Sequence, residues 1–139
     1  MNYQNIIKSQ EDYSAIKRAC DISVEILREL RDSVQIGVSP SEINELAGEL
    51  CARHKVRPSF LGVPGVKSPF PSNLCVLVNE ETVHAIPSSP KPFQSGDIVK
   101  VDFGIIYNGF NTDHGVTVGV GDITDRRKSL IQTAELSVN

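Results

Sequence analysis

An α+β fold with a largely antiparallel sheet is what this chain of 139 residues predicts. Three observations carry the expectation. Two stretches of helical periodicity open the sequence, short β-rich runs separated by turn residues fill its middle, and Asn108-Gly109 joins two of those runs as a tight hairpin.

The first helix is expected over residues 9–36. Ile16, Cys20, Ile26, Leu27, Leu30 and Val34 recur at helical spacing and give one apolar stripe. Gly37 stands where a C-terminal cap belongs. The second helix has a clear start. Ser39 is an N-cap, Pro40 fits the first helical position, and Glu42 completes a capping box. Ile43, Leu46, Ala47, Leu50 and Cys51 form its inner face, and His54 follows as a structural or surface residue. Residues 58–71 are rich in Gly and Pro and read as a surface loop of the kind that carries binding residues. A strand follows at residues 74–78, then a turn at 79–82. Residues 83–87, Val-His-Ala-Ile-Pro, read as a sheet edge or strand end because of the proline. A polar loop to Gly96 leads into the hairpin. A last helix is expected over residues 124–139, with Leu130, Ile131 and Ala134 at helical spacing. It stops without a glycine cap or a basic last turn, so the chain reads as interrupted, a single truncated domain over residues 1–139.

The hairpin carries the chemistry. Asn and Gly both tolerate the positive φ of a type I′ turn, so a two-residue loop at 108–109 sets the register. Tyr107 then opposes Phe110, Gly104 opposes Asp113, and Asp102 opposes Gly115. Side chains alternate, so residues 102, 104, 113 and 115 share one face. Asp102 and Asp113 become diagonal neighbours, about 7–8 Å apart at the backbone and closer at their carboxylates. Gly104 and Gly115 are expected to leave a clearing beside them. A lone Asp on a strand is usually a solvated charge. Two converging carboxylates beside two glycines suit a divalent cation instead. His114 points to the opposite face and reads as packing or surface. Val101, Phe103 and Ile105 also face away from the aspartates. They are expected to form an uncovered apolar surface, so that the chain either self-associates through it or is only marginally stable.

Bulk properties exclude several classes. Apolar residues make up 40% and charged residues 22%, as in a soluble globular protein, and the net charge is −3. No Lys/Arg cluster supports nucleic-acid or membrane-surface binding. Cys20, Cys51 and Cys75 are an odd, unpaired count that suits a reducing cytoplasm. The opening residues 1–5 lack the basic and apolar regions of a signal peptide, and no apolar run reaches transmembrane length.

Four stretches together resemble the bacterial, type I methionine aminopeptidases, which have the pita-bread fold. They are Pro58-Ser59-Phe60-Leu61-Gly62, Phe70-Pro71-Ser72-Asn73-Leu74-Cys75-Val76-Leu77-Val78-Asn79-Glu80, Val83-His84-Ala85-Ile86-Pro87, and Gly96-Asp97-Ile98-Val99-Lys100-Val101-Asp102 continued through Gly109-Phe110 to Thr112-Asp113. The resemblance implies that Asp102 and Asp113 bind metal, Asp113 bridging two divalent ions of cobalt, manganese, iron or zinc. It implies that His84 contacts substrate and stabilises the transition state, and that Cys75 and Phe70 line the pocket for a methionine side chain. Alone, His84 reads as an edge residue and Cys75 as a small buried apolar one. The implied reaction is removal of the N-terminal methionine of nascent proteins by a metal-activated water, with ribosome association as a corollary. The family usually has glycine where this chain has Ala85. Its remaining ligands, a histidine and two glutamates, lie in a second half of the fold. Glu80, Glu81 and Glu135 do not stand in matching contexts, so the chain resembles the first half only and is expected to be inactive alone. Two alternatives stand beside this reading: an aminopeptidase P or prolidase relative, and a non-catalytic pita-bread module that binds peptides or a partner.

Overall fold

The computed structural model describes residues 7–66 and 68–138. The opening segment 1–5 and Asn139, the expected end of the last helix, lie outside them. Helix α1 (Gln10–Ser33) begins at a full capping box. Ser9 Oγ accepts from the Asp12 amide and Asp12 Oδ2 accepts from the Ser9 amide, each at 3.1 Å. Ala19, Ile22, Ile26 and Leu30 form its buried face. The helix stops three residues short of the expected Ile36. Val34 turns extended at φ −75° and ψ 94° and is itself buried, so packing draws the chain out of the helix there. Gly37, with φ +93°, serves the following turn and donates its N–H to the Phe93 carbonyl at 3.0 Å. Helix α2 (Pro40–His54) starts as expected, with the Ser39–Glu42 capping box and Pro40 in its first turn. Ile43, Ala47, Leu50 and Cys51 are buried, Leu46 is half-buried, and His54 closes the helix.

Two antiparallel three-stranded sheets follow. One has the order β2 (Cys75–Val78), β3 (Ile98–Phe103), β6 (His114–Gly119). The other has β1 (Arg57–Pro58), β4 (Ile105–Tyr107), β5 (Phe110–Asn111). The hairpin register is the expected one. Tyr107 pairs with Phe110 across Asn108 (φ +48°) and Gly109 (φ +83°), and Asp102 pairs with Gly115. Burial along β3 alternates strictly. Val99, Val101 and Phe103 point under the two helices, and Lys100 and Asp102 point outward.

That packing overturns the expected self-association surface. Val101 is 1% exposed and Phe103 and Ile105 are fully buried. They join Ile22, Ile26, Leu30 and Leu50 in one cluster, so α1 and α2 already cover the face. Residues 83–87 are also not a strand. They run as an irregular segment with Val83, His84 and Ile86 exposed, because among the described residues β2 pairs with β3 alone and no strand lies beside 83–87 to give them a ladder. Helix α3 (Asp125–Ser137) is capped by Thr124 and buries none of its residues. It is tied down by the Arg127 guanidinium, which donates to the Gly96 carbonyl.

Gly104 separates β3 from β4, and it does not open a clearing. A Cβ there would overlap the Thr112 carbonyl oxygen and stand 2.5 Å from Ser59 Oγ. The chain crosses itself too closely at this point for any side chain. Gly115 is the open one, its nearest neighbour being the Val101 carbonyl at 3.9 Å. Gly104→Ala is therefore expected to cost about 3 kcal/mol or more through overpacking. Gly115→Ala should cost well under about 1 kcal/mol. Urea unfolding of the two variants checks this. Equal losses would mean that the Gly104 crossing yields freely.

Candidate functional site

Strand pairing brings Cys75, Asp102 and Gly115 into one row across the sheet. Asp113 sits just before β6, diagonal to Asp102, close enough for its carboxyl to act on that of Asp102. Burial pushes the Asp102 pKa up, and the neighbouring Asp113 charge pushes it further, while His84 opposes weakly. Both aspartates line a cavity of about 360 Å³. Phe70, Cys75 and His84 line the same cavity, so all five residues singled out in the sequence converge there.

Phe60 and Val63 complete the apolar wall, with Pro64, Gly65 and Ser68 beside them. Sequence reading flagged this loop as one that carries binding residues without assigning these side chains. What folds them inward is a pair of backbone bonds. Gly62 N–H donates to the Phe70 carbonyl and Phe70 N–H to the Val63 carbonyl, both at 2.8 Å. Gly62, at φ +82°, makes the reversal possible. The bonds pin both ends of the loop and leave Phe60, Val63 and Phe70 on one side of the opening.

His84 adopts φ +55°, a left-handed backbone that a non-glycine residue holds at a cost of about 1–3 kcal/mol. Its side chain is exposed at the rim of the cavity. The turn before it is anchored by polar contacts. Asn79 Nδ2 donates to Asp97 Oδ1 at 2.9 Å, and Lys100 Nζ donates to the Asn79 carbonyl at 3.0 Å and to the Glu81 carbonyl. His114 points away from the cavity, as alternation requires, and its Nδ1 lies 3.1 Å from Ser23 Oγ on α1. Burial raises the Cys75 thiol to about 11, with Asp102 and Asp113 adding to the shift. It is a neutral apolar wall at pH 7 and no nucleophile.

The chemistry of the carboxylate pair fits a divalent cation. None of the four ion pairs among the described residues involves Asp102 or Asp113, so two like charges meet without a cationic side chain between them. Hard carboxylate oxygens suit such a cation. The fit is partial. Among the described residues no group of three or more His, Cys, Asp or Glu that could hold a metal ion forms. No helix among the described residues is long and apolar enough to cross a membrane.

The signature of metallopeptidase family M24 matches residues 14–138. The methionine aminopeptidase of Clostridium perfringens is 35% identical over 132 residues, covering 95% of this chain and 51% of that protein. Methionine aminopeptidase 1 of Bacillus subtilis is 33% identical, covering 96% and 52%. The crystal structure of the Thermotoga maritima methionine aminopeptidase superposes with a TM-score of 0.82 at 34% identity, covering 91% of this chain and 49% of that one. The prolidase of Pyrococcus horikoshii superposes at 0.69 with 20% identity, a likeness of fold alone. The chain spans about half the length of the curated relatives it matches. Its helices and sheets correspond to one half of the pita-bread fold.

Proposed function

The chain belongs to metallopeptidase family M24, and from that premise we propose that it forms the first half of the active centre of a methionine aminopeptidase acting on nascent chains. The observation that carries this is the carboxylate pair at an apolar cavity, Asp102 and Asp113 lining it together beside Phe60, Val63, Phe70 and Cys75.

Asp102 and Asp113 would hold the divalent ions, two in a complete site, of cobalt, manganese, iron or zinc. Such ions, when bound, lower the pKa of a water and polarise a carbonyl oxygen. The chain's own residues do the rest. Phe60, Val63 and Phe70 take a methionine side chain, whose unbranched thioether adapts to an irregular aromatic pocket. The neutral Cys75 thiol closes that pocket without competing for the carbonyl. His84 at the rim donates a hydrogen bond toward the scissile amide, where charge develops as the bond breaks. The same reading puts the protein in the cytoplasm, where chains emerge from the ribosome. Its three free cysteines suit that compartment.

Methionine binding tests the pocket without turnover. With Mn²⁺ present, free methionine is expected to shift the NMR signals of Phe60, Val63 and Phe70 saturably, and lysine is not. Equal responses to the two amino acids, or none to methionine, would sink the assignment.

A further inference from the structure

Asp113 lies where neither sheet holds it. Strand β5 ends at Asn111 and β6 begins at His114; the Thr112 amide still donates to the Ile105 carbonyl at 2.9 Å, so Asp113 sits in the gap between the two ladders. Both residues that flank Asp113 are tied to one hydroxyl on α1. Thr112 Oγ1 donates to Ser23 Oγ at 2.9 Å, and Ser23 Oγ lies 3.1 Å from His114 Nδ1. The Ile105 amide donates to Thr112 Oγ1 at 3.0 Å, which joins the cluster to β4. Ser23 is fully buried and Thr112 is 6% exposed. An unpaired hydroxyl in such surroundings is costly, so each of these groups depends on the others.

We propose that Ser23 is a positioning residue for Asp113. It does not touch the cavity. It grips the side chains on either side of the aspartate, one residue before and one after, and so fixes the backbone between them. A carboxylate in the gap between two ladders would otherwise swing, and a cation site needs its ligands held by a second layer of contacts. Alternation explains why this works. Thr112 and His114 point toward α1, so Asp113 between them points to the cavity. The inference rests on the reading that Asp113 is a metal ligand.

Mn²⁺ alone is the probe, titrated into the 139-residue chain and followed by electron paramagnetic resonance. Ser23→Ala is expected to weaken Mn²⁺ binding about 10-fold, the usual scale for losing a contact that orients a ligand. Thr112→Val should do the same, and Thr112→Ser, which keeps the hydroxyl, should retain the parent affinity. Amide hydrogen exchange at Asp113 without metal is expected to quicken in Ser23→Ala and Thr112→Val. If Ser23→Ala does not fold, the two Thr112 variants carry the comparison. A loss of melting temperature with unchanged Mn²⁺ affinity and unchanged exchange at Asp113 would reduce the cluster to core packing and overturn the proposal. Absence of Mn²⁺ binding in the parent chain would instead remove the metal reading. The exchange rates still judge the clamp in that case.

Discussion

The 139-residue chain is expected to leave a Met-Ala-Ser peptide essentially uncut even with Mn²⁺ supplied, at a rate at least about 1,000-fold below that of a full-length relative. The argument is a ligand count. Asp102 and Asp113 bring two carboxylates, and no third His, Cys, Asp or Glu joins them among the described residues. An ion held by so few ligands is bound weakly and placed loosely. Lewis-acid activation is worth several kcal/mol of barrier, and about 1.4 kcal/mol is a factor of ten in rate, so losing most of it removes three decades or more. On the proposed reading Phe60, Val63 and Phe70 supply the wall for the substrate side chain, so methionine binding should survive where turnover does not. Measuring both on one preparation separates recognition from chemistry. Turnover near that of a full-length relative would show that the two aspartates and His84 suffice, and the half-site reading would fall.

Local rules made most of this fold readable. Ser39-Pro40-Ser41-Glu42 starts α2 because the cap, the proline and the reaching glutamate each satisfy a need of the first turn. Asn108-Gly109 sets the register because few other pairs accept two positive φ values, and that register alone aligned Asp102 with Gly115. Non-local contacts were hidden. Val101, Phe103 and Ile105 read as an exposed face because nothing in a β-run says which helix will lie on it. Helices α1 and α2, which precede these strands in the chain, answered that. Gly104 read as a clearing because a glycine's reason is the atom it makes room for, here the Thr112 carbonyl, eight residues away. Residues 83–87 lacked a partner strand, which no property of the segment itself reveals. Phe60 and Val63 joined the cavity through loop bonds at Gly62 and Phe70 that composition does not encode. Of the site, the chemistry-bearing residues were legible and the apolar wall was only half so. Ser23 was invisible, since a serine on the inner face of a helix looks like a defect until Thr112 and His114 arrive.

Asp113→Asn is expected to raise the melting temperature of the metal-free chain at pH 7 by a few degrees, and to abolish the stabilisation that Mn²⁺ gives the parent. The two effects share one cause. Asp102 and Asp113 meet in a partly buried cavity, and neither forms an ion pair among the described residues. Burial, then the Asp113 charge, raises the Asp102 pKa above its ordinary value. The folded chain therefore keeps a proton there that the unfolded chain gives up. More protons bound in the folded state means that stability falls as pH rises from the ordinary carboxylate range through the raised folded value, and stays lower above it. Replacing Asp113 by the neutral isostere removes the repulsion, so the variant should lose much of that decline. For the parent, a cation does the same work from outside. At a concentration of about 100 Kd, Mn²⁺ contributes about 2.7 kcal/mol, which for a domain of this size is roughly 10 °C in melting temperature. In Asp113→Asn the charge that attracts the ion is halved and the response should vanish. Melting curves at pH 4 and pH 7, with and without Mn²⁺, give all four corners of the comparison. A variant that melts below the parent at pH 7 without metal would mean that the carboxylates are not in repulsive contact. A variant still stabilised by Mn²⁺ would mean that the ion binds elsewhere. The site is thus expected to be locally unfavourable to its own fold, a conflict between two carboxylates that stability alone would not retain and that a bound cation resolves.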